Sequence, residues 1–276
     1  MITNLGGGAY LFHWQQYVSP FFVGEKGVHV VDPINIQTAR EYRRAISQVT
    51  DLPIQHLIYS HDHRDHIAGG AELVPDLSVR ISAHINAHHQ ISRRDDLDVL
   101  TPNAVIHDHV ELSESNLHVE IKYLGPNHSS SNLIFFLPNA DKKTVIWVDG
   151  VEPGVAPYRN LPDTDFRGLL STIHELSKMP YEQIVGGHLG PDSFEWLHSY
   201  KAFYSKAIEL THDEITSDRH MPAAGLDGVQ ATEYVHDRIT QVVTEKLKSD
   251  FGHWRGYSAW VPMTIDRIIS YIITGN

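Results

Sequence analysis

The sequence predicts an α/β (α+β) chain with a helical C-terminal extension. Two observations carry this. Up to residue 192 short β-branched and aromatic runs alternate with stretches of helical spacing, and from Ser193 onward the strand signals stop and three long helical patterns follow. At 276 residues the chain is long enough to bury a substantial core. We expect residues 1–192 to form the main domain and residues 193–276 a helical extension packed on the same body.

The aromatic and β-branched segments Gly8–Tyr17 and Phe21–Val31, with Gly24-Glu25-Lys26-Gly27 as a turn, read as a strand and a hairpin. Ala39, Tyr42, Ala45, Ile46 and Val49 then fall at helical spacing within Ile36–Val49, and the apolar run Ile54–Tyr59 leads directly into a cluster of histidines. A helix at His66–Leu73, a strand at Val79–Ala83 and a helix at Ile85–Arg93 follow. Strands recur at Leu117–Leu124, Leu133–Leu137 and Thr144–Val148. Pro153, Pro157 and Pro162 make Gly150–Pro162 an irregular loop. Asp165–Met179 reads as a helix and Gln183–Gly186 as a short strand. The tail reads as helices at Phe194–Ser217, Val229–Lys248 and Thr264–Thr274.

Composition narrows the function. Lys and Arg total 22 against 34 Asp and Glu, a formal charge of −12 with no basic cluster, which argues against a long nucleic acid as partner. A small-molecule substrate is expected, and a homo-oligomer is compatible with the composition. No stretch approaches 18 uninterrupted apolar residues and no basic segment precedes an apolar run at the N-terminus. No transmembrane segment is expected, and a cytoplasmic, soluble protein is the default, a signal peptide trimmed beforehand being invisible. With zero cysteines, any metal site must use nitrogen and oxygen donors.

The chemistry concentrates in His61-Asp62-His63-Arg64-Asp65-His66. His61 and His63 are two apart, so on an extended segment both side chains point to one side and can share an ion. Asp65 and His66 continue round the turn, and four donors can then face two ions separated by roughly 3.5–4 Å, as in dinuclear hydrolases. Two such ions lower the pKa of a shared water and polarise the substrate oxygen.

This segment, with flanking Ser60 and Gly69-Gly70, resembles the signature of the metallo-β-lactamase superfamily, and ordered landmarks extend the resemblance over residues 8–192. Asp32, closing Val28-His29-Val30-Val31-Asp32, matches the early Asp that supports the metal loop from behind. His128 in Leu124-Gly125-Pro126-Asn127-His128 matches the third imidazole. Asp149 in Val145-Ile146-Trp147-Val148-Asp149-Gly150 matches the bridging carboxylate. His188 in Ile184-Val185-Gly186-Gly187-His188-Leu189-Gly190 looks like the last ligand.

The resemblance implies an αββα sandwich with two mixed sheets facing each other. It gives metal one to His61, His63 and His128 and metal two to Asp65, His66 and His188, with Asp149 bridging. Two Zn2+ suit these donors, which also accept Mn2+, Fe2+ or Co2+. The implied reaction is attack of a metal-bound hydroxide on the carbonyl of an ester, lactone, thioester or amide, with Asp65 or Asp149 as the catalytic carboxylate. An Asp at the bridging position is most like lactonases and glyoxalase II-type thioesterases, and it disfavours β-lactam hydrolysis. The other readings are a mononuclear iron oxygenase like the persulfide dioxygenases, a small phosphodiesterase of the same fold, and a non-catalytic binding protein.

Tyr158 and Trp254 are candidates for the pocket mouth, against loop packing and core anchoring respectively. His107-Asp108-His109 reads as surface loop, and His84, His88 and His89 as packing or solvation. Ser129-Ser130-Ser131 reads as a turn.

Overall fold

The computed structural model describes residues 1–74, 78–114, 116–217 and 225–275. Among them thirteen strands build two sheets. The first runs in sequence order through β1 (Ile2–Gly6), β2 (Ala9–Trp14), β3 (Tyr17–Val23), β4 (Val28–Val31), β5 (Ile54–Ile58), β6 (Arg80–His84) and β7 (Ala104–Ile106). The hairpins β1 to β4 are antiparallel and β4 to β7 are parallel. The second comprises β8 (His109–Glu114), β9 (Leu117–Tyr123), β10 (Leu133–Leu137), β11 (Thr144–Ile146), β12 (Gln183–Val185) and β13 (Asp192–Ser193), with β11 and β12 its one parallel pair.

Period-two alternation decides which face each side chain takes. In β3, Phe22 points between the sheets and Phe21 to the outside; in β10, Leu133, Phe135 and Leu137 point between them and Ile134 and Phe136 outward. The inner faces meet in a dry layer that joins Val31 and Ile58 to Ile121, Phe135, Ile146 and Val185. Helices α1 (Ile36–Ile46) and α4 (Ile85–Arg94) contribute Ala39, Tyr42, Ala87 and Ile91 to the outer face of the first sheet, beside two short turns, α2 (Arg64–Ile67) and α3 (Gly70–Leu73). The outer face of the second is covered by α5 (Phe166–Leu176), α6 (Glu195–Ile215), α7 (Gly228–Phe251) and α8 (Tyr257–Thr274). This is an αββα sandwich. The three C-terminal helices and α5 share one apolar cluster with Ile134, Phe136, Val145 and Ile184.

Several boundaries differ from the sequence expectation. Ile2–Gly6 forms a strand ahead of the expected first one, turning through Gly6, Gly7 and Gly8, all at positive φ. His66–Leu73 is two turns instead of one helix, because Gly69 at φ 85 is left-handed and interrupts the ladder. His109, expected in a surface loop, opens a strand that the sequence reading did not contain, His109–Glu114, which pairs with β9. The last helix starts at Tyr257 and carries Pro262 within it instead of starting at Thr264. A proline near a helix start removes one backbone donor without ending the helix. No helix of the described residues is long and apolar enough to cross a membrane.

Candidate metal centre

The proposed donors lie where strands end. His61 follows β5, His128 lies between β9 and β10, Asp149 follows β11 and His188 follows β12, so both sheets deliver residues to one edge. Their ligating atoms form two groups: His61, His63, His128 and Asp149, and Asp65, His66 and His188. Within each group the atoms lie within 4.8 Å of one another.

Asp149 sits between the groups. Its Oδ2 is 3.0 Å from His66 Nε2, 3.6 Å from His128 Nε2 and 3.7 Å from His61 Nε2, and its Oδ1 is 3.4 Å from His188 Nε2. His63 Nδ1 is 3.2 Å from His128 Nε2. Two donors each about 2.0–2.1 Å from one tetrahedral ion stand about 3.4 Å apart, so these separations are those of ligands sharing an ion. His61 Nε2, His66 Nε2 and Asp149 Oδ1 are buried without a hydrogen-bond partner. Such atoms are costly to bury unless something binds them, and the donor set thus fits divalent cations.

Local contacts aim each ring. The Ser60 hydroxyl lies 2.8 Å from His61 Nδ1, which leaves Nε2 for the site, and Ser60 N–H donates to Asp32 Oδ1 at 2.8 Å. Asp32 thereby braces the metal loop from a fully buried position, where burial pushes its carboxyl up to about 6 against the opposing charge of His66 and the Ser60 bonds. Asp62 points away: its Oδ1 accepts the Ser131 hydroxyl at 2.6 Å and its Oδ2 pairs with Arg94, tying the loop to the turn that carries His128. Asn127 Oδ1 accepts both the His128 N–H at 2.7 Å and the Trp147 indole N–H at 3.1 Å, which joins that turn to the strand end bearing Asp149. Asp149 has φ 61, a strained conformation for a non-glycine residue. A Cβ at position 187 would come 2.4 Å from Asp149 Oδ1, so only glycine lets the His188 loop approach so closely.

The electrostatics show a carboxylate shared among imidazoles. Burial lowers His61 well below its usual value and His128 to about 4; neighbouring rings lower both further, against the opposing pull of Asp149. Burial acts on His66 in the same direction, but Asp149, Asp65 and Asp32 outweigh it and raise that ring to about 10. Asp149 is held well below the carboxylate range because His66, His128 and His61 overcome its burial.

Three neighbours escaped the sequence reading. Glu152, whose carboxyl is pushed up to about 8 by burial and by Asp149, accepts the N–H groups of Gly187 and His188 at 2.7 and 3.1 Å and so holds the His188 loop. Tyr17, the first residue of β3, donates to Asp65 Oδ2 at 3.3 Å, with its ring 4.6 Å from that of His188. Asp163 Oδ2 lies 3.0 Å from His63 Nε2, the ring nitrogen facing away from His128. Only proximity to Asp149 in the chain could have flagged Glu152. Tyr17 and Asp163 are brought in from 48 and 100 residues away.

A cavity of about 680 Å³ opens on this centre, with His63, His128, Asp149 and His188 among its lining. Tyr158 lines it too. Trp254, a candidate for the pocket mouth, is placed elsewhere: it is 3% exposed and stacks on Tyr200 at 5.1 Å among Phe203 and Phe251, because its large apolar ring is worth more in the core of the helical tail. His84 stacks on Tyr123 at 3.7 Å, away from the donor groups.

No family model matches the chain. One curated relative, 2,4-dinitroanisole O-demethylase subunit alpha of Nocardioides sp. (strain JS1661), is 28% identical over 167 residues, which are 60% of this chain and 50% of that protein. The chain thus spans about half the length of this relative. Among solved structures, the metallo-β-lactamase from Pontibacter korlensis superposes with a TM-score of 0.60 at 16% identity, covering 73% of this chain and 97% of its own. A TMB-1 structure gives 0.60 at 16% and a DIM-1 metallo-β-lactamase exposed to ceftazidime 0.61 at 15%, each covering 75% of this chain and 97% of its own. With these likenesses joined to the two facing sheets and the outer helices, the chain has the metallo-β-lactamase fold.

Proposed function

We propose that this chain is a hydrolase that uses two divalent cations, zinc foremost, to attack a carbonyl in an ester, lactone or thioester. His61, His63 and His128 would hold one ion and Asp65, His66 and His188 the other, with Asp149 between them. The observation that carries the reading is the position of Asp149, whose two oxygens lie within 3.0–3.7 Å of imidazoles from both groups. In this reading residues 1–192 form the catalytic domain and residues 193–276 an extension that walls the cavity.

When bound, the cations lower the pKa of a water and polarise the substrate carbonyl. The chain's own residues do the rest. Asp65 Oδ2, half-exposed and already accepting the Tyr17 hydroxyl, receives the proton that the attacking water sheds. Tyr17 keeps its proton, since burial and the charges of Asp65 and Asp149 raise it to about 12, and it acts as a donor. Glu152 fixes the His188 loop through two backbone N–H groups, and Asp163 orients the His63 ring. Leu161, Leu169 and Trp260 exclude bulk water from the apolar part of the cavity.

The likeness to an O-demethylase favours a second substrate for the same nucleophile, an activated aryl methyl ether: water would attack the aryl carbon that bears the methoxy group, the aryl C–O bond would break, and methanol would leave a phenol behind. The test is metal quantification of the purified protein coupled to turnover of lactones, aryl esters, thioesters, β-lactams, phosphodiesters and activated aryl methyl ethers. Two ions per chain, with carbonyl turnover lost on chelation and in His61→Ala and His128→Ala, is the expected result. One iron with oxygen consumption would replace the reading with an oxygenase, and full turnover in the metal-depleted protein would refute it.

A further inference from the structure

The far wall of the cavity is built by the C-terminal helices. Tyr204 comes from α6, Trp260 from α8 and Arg255 from the turn between α7 and α8, facing Tyr158 and Leu161 of the loop after β11. Tyr158 and Trp260 meet edge to face with ring centroids 5.2 Å apart, an aromatic corner of that wall. At about 680 Å³ the cavity falls within the range that encloses a drug-sized molecule.

Arg255 is the one Lys or Arg among the lining residues. Its backbone is clamped to the loop: its N–H donates to Gly154 O and its carbonyl accepts from Ala156 N–H, each at 2.9 Å. The start of the side chain is therefore fixed at the cavity. Arg40, Arg44, Arg64 and Arg94 each hold a carboxylate, whereas no side chain of the described residues pairs with the Arg255 guanidinium. In a chain of charge −12, an arginine left unpaired at the rim of an apolar cavity is a recognition group awaiting an anion.

We infer that Arg255 selects substrates that carry an anionic group, a carboxylate, sulfonate or phosphate, at the end of an aromatic or alkyl portion held against Tyr158 and Trp260. Describing those molecules as esters or thioesters rests on the hydrolase reading above; the anion subsite does not. The planar fork of arginine grips such a group with two parallel hydrogen bonds, which a lysine point charge cannot reproduce. Because the guanidinium is exposed, its preference is screened by salt.

Two measurements on the metal-loaded protein test this. In the first, calorimetry compares 2-naphthalenesulfonate, a poor metal ligand, with the uncharged 2-naphthyl methyl sulfone. We expect the sulfonate to bind wild type roughly 10-fold tighter than the sulfone, the ratio to fall to about one in R255Q, and R255K to retain part of it. In the second, aryl esters with and without a carboxylate give the same ratio in kcat/KM, and added salt lowers it. A wild type without preference, or a preference that survives R255Q, overturns the proposal. If the sulfonate binds through Arg255 while neither ester turns over, the hydrolase reading falls and the anion subsite stands.

Discussion

Replacing Asp149 with Asn preserves the shape of the side chain and removes its charge. The candidate donor set holds two carboxylates, Asp65 and Asp149, against the four positive charges of two dications, and only Asp149 approaches imidazoles of both groups. At the effective dielectric of a partly buried site, one unit-charge pair at about 4 Å is worth roughly 4 kcal/mol. A dication carries twice that charge, so each ion should lose at least about a thousand-fold in affinity, at one decade per 1.4 kcal/mol. The ion held by Asp65, His66 and His188 should leave first, since it has two imidazoles where the other has three. Competition of the purified variant with chromogenic chelators, read beside metal stoichiometry and single-turnover kinetics, measures this directly, with circular dichroism to confirm the fold. If Asp149→Asn keeps two ions within about tenfold of the wild-type affinity, Asp149 only caps a strand and the shared centre is wrong.

Glu152→Ala should weaken the ion at His188 by roughly 10- to 100-fold, because two backbone donors lose their acceptor, whereas Glu152→Gln retains an acceptor oxygen and stays near wild type. Equal affinities for the two variants would show that Glu152 does not position the loop. Trp254→Ala removes a buried ring that contacts Tyr200, Phe203 and Phe251, a loss of about 3–5 kcal/mol that lowers Tm by roughly 6–10 °C. Its kcat/KM below the transition should be retained; lost activity at an unchanged Tm would return Trp254 to the pocket. His29 and His56 lie buried with ring nitrogens 3.3 Å apart, near Glu114 and Arg80, and burial lowers both, His56 to about 3 with His29 and Arg80 adding to the effect. Their folded values lie below the unfolded one, so as pH falls below about 6.5 the unfolded chain takes up protons that the folded one refuses, and stability drops by roughly 1.4 kcal/mol per pH unit for His56, with a contribution of the same sign from His29. Urea unfolding between about pH 7 and 5 reads that slope, and an identical slope in His56→Gln would remove the pair as its source.

The metal loop was legible because it is local: His61, His63, Asp65 and His66 declare their geometry through spacing alone, and the apolar runs before Asp149 and His188 mark the strand ends on which those residues stand. The layered fold was legible through the resemblance and not through alternation: Leu133–Leu137 is apolar throughout, and which core each residue feeds shows only once the two sheets face each other. What stayed hidden depends on distant chain segments. Glu152 sits in a proline-marked loop and acquires its role only when Gly187 and His188 arrive, and Tyr17 reads as an ordinary strand aromatic until the fold brings the start of β3 to His188. β8 was missed because His109, Glu111 and Ser113 alternate with a weak apolar set on an edge strand that faces solvent. Trp254 read more readily as a core anchor than as part of the pocket mouth, and the partners of its ring place it in the core.

The two sheets share the metal donors unequally in time as well as in space. His61 to His66 emerge early, from the first sheet, whereas His128, Asp149 and His188 belong to the second and complete the set only after β12 has paired with β11. A growing chain that has exposed only the first sheet holds four of the seven proposed donors, too few to close the coordination sphere proposed for either ion. On the two-ion proposal, high-affinity metal uptake would follow closure of the sandwich instead of templating it, and the nascent first sheet would hold together on the packing of Tyr42, Phe12 and Phe21.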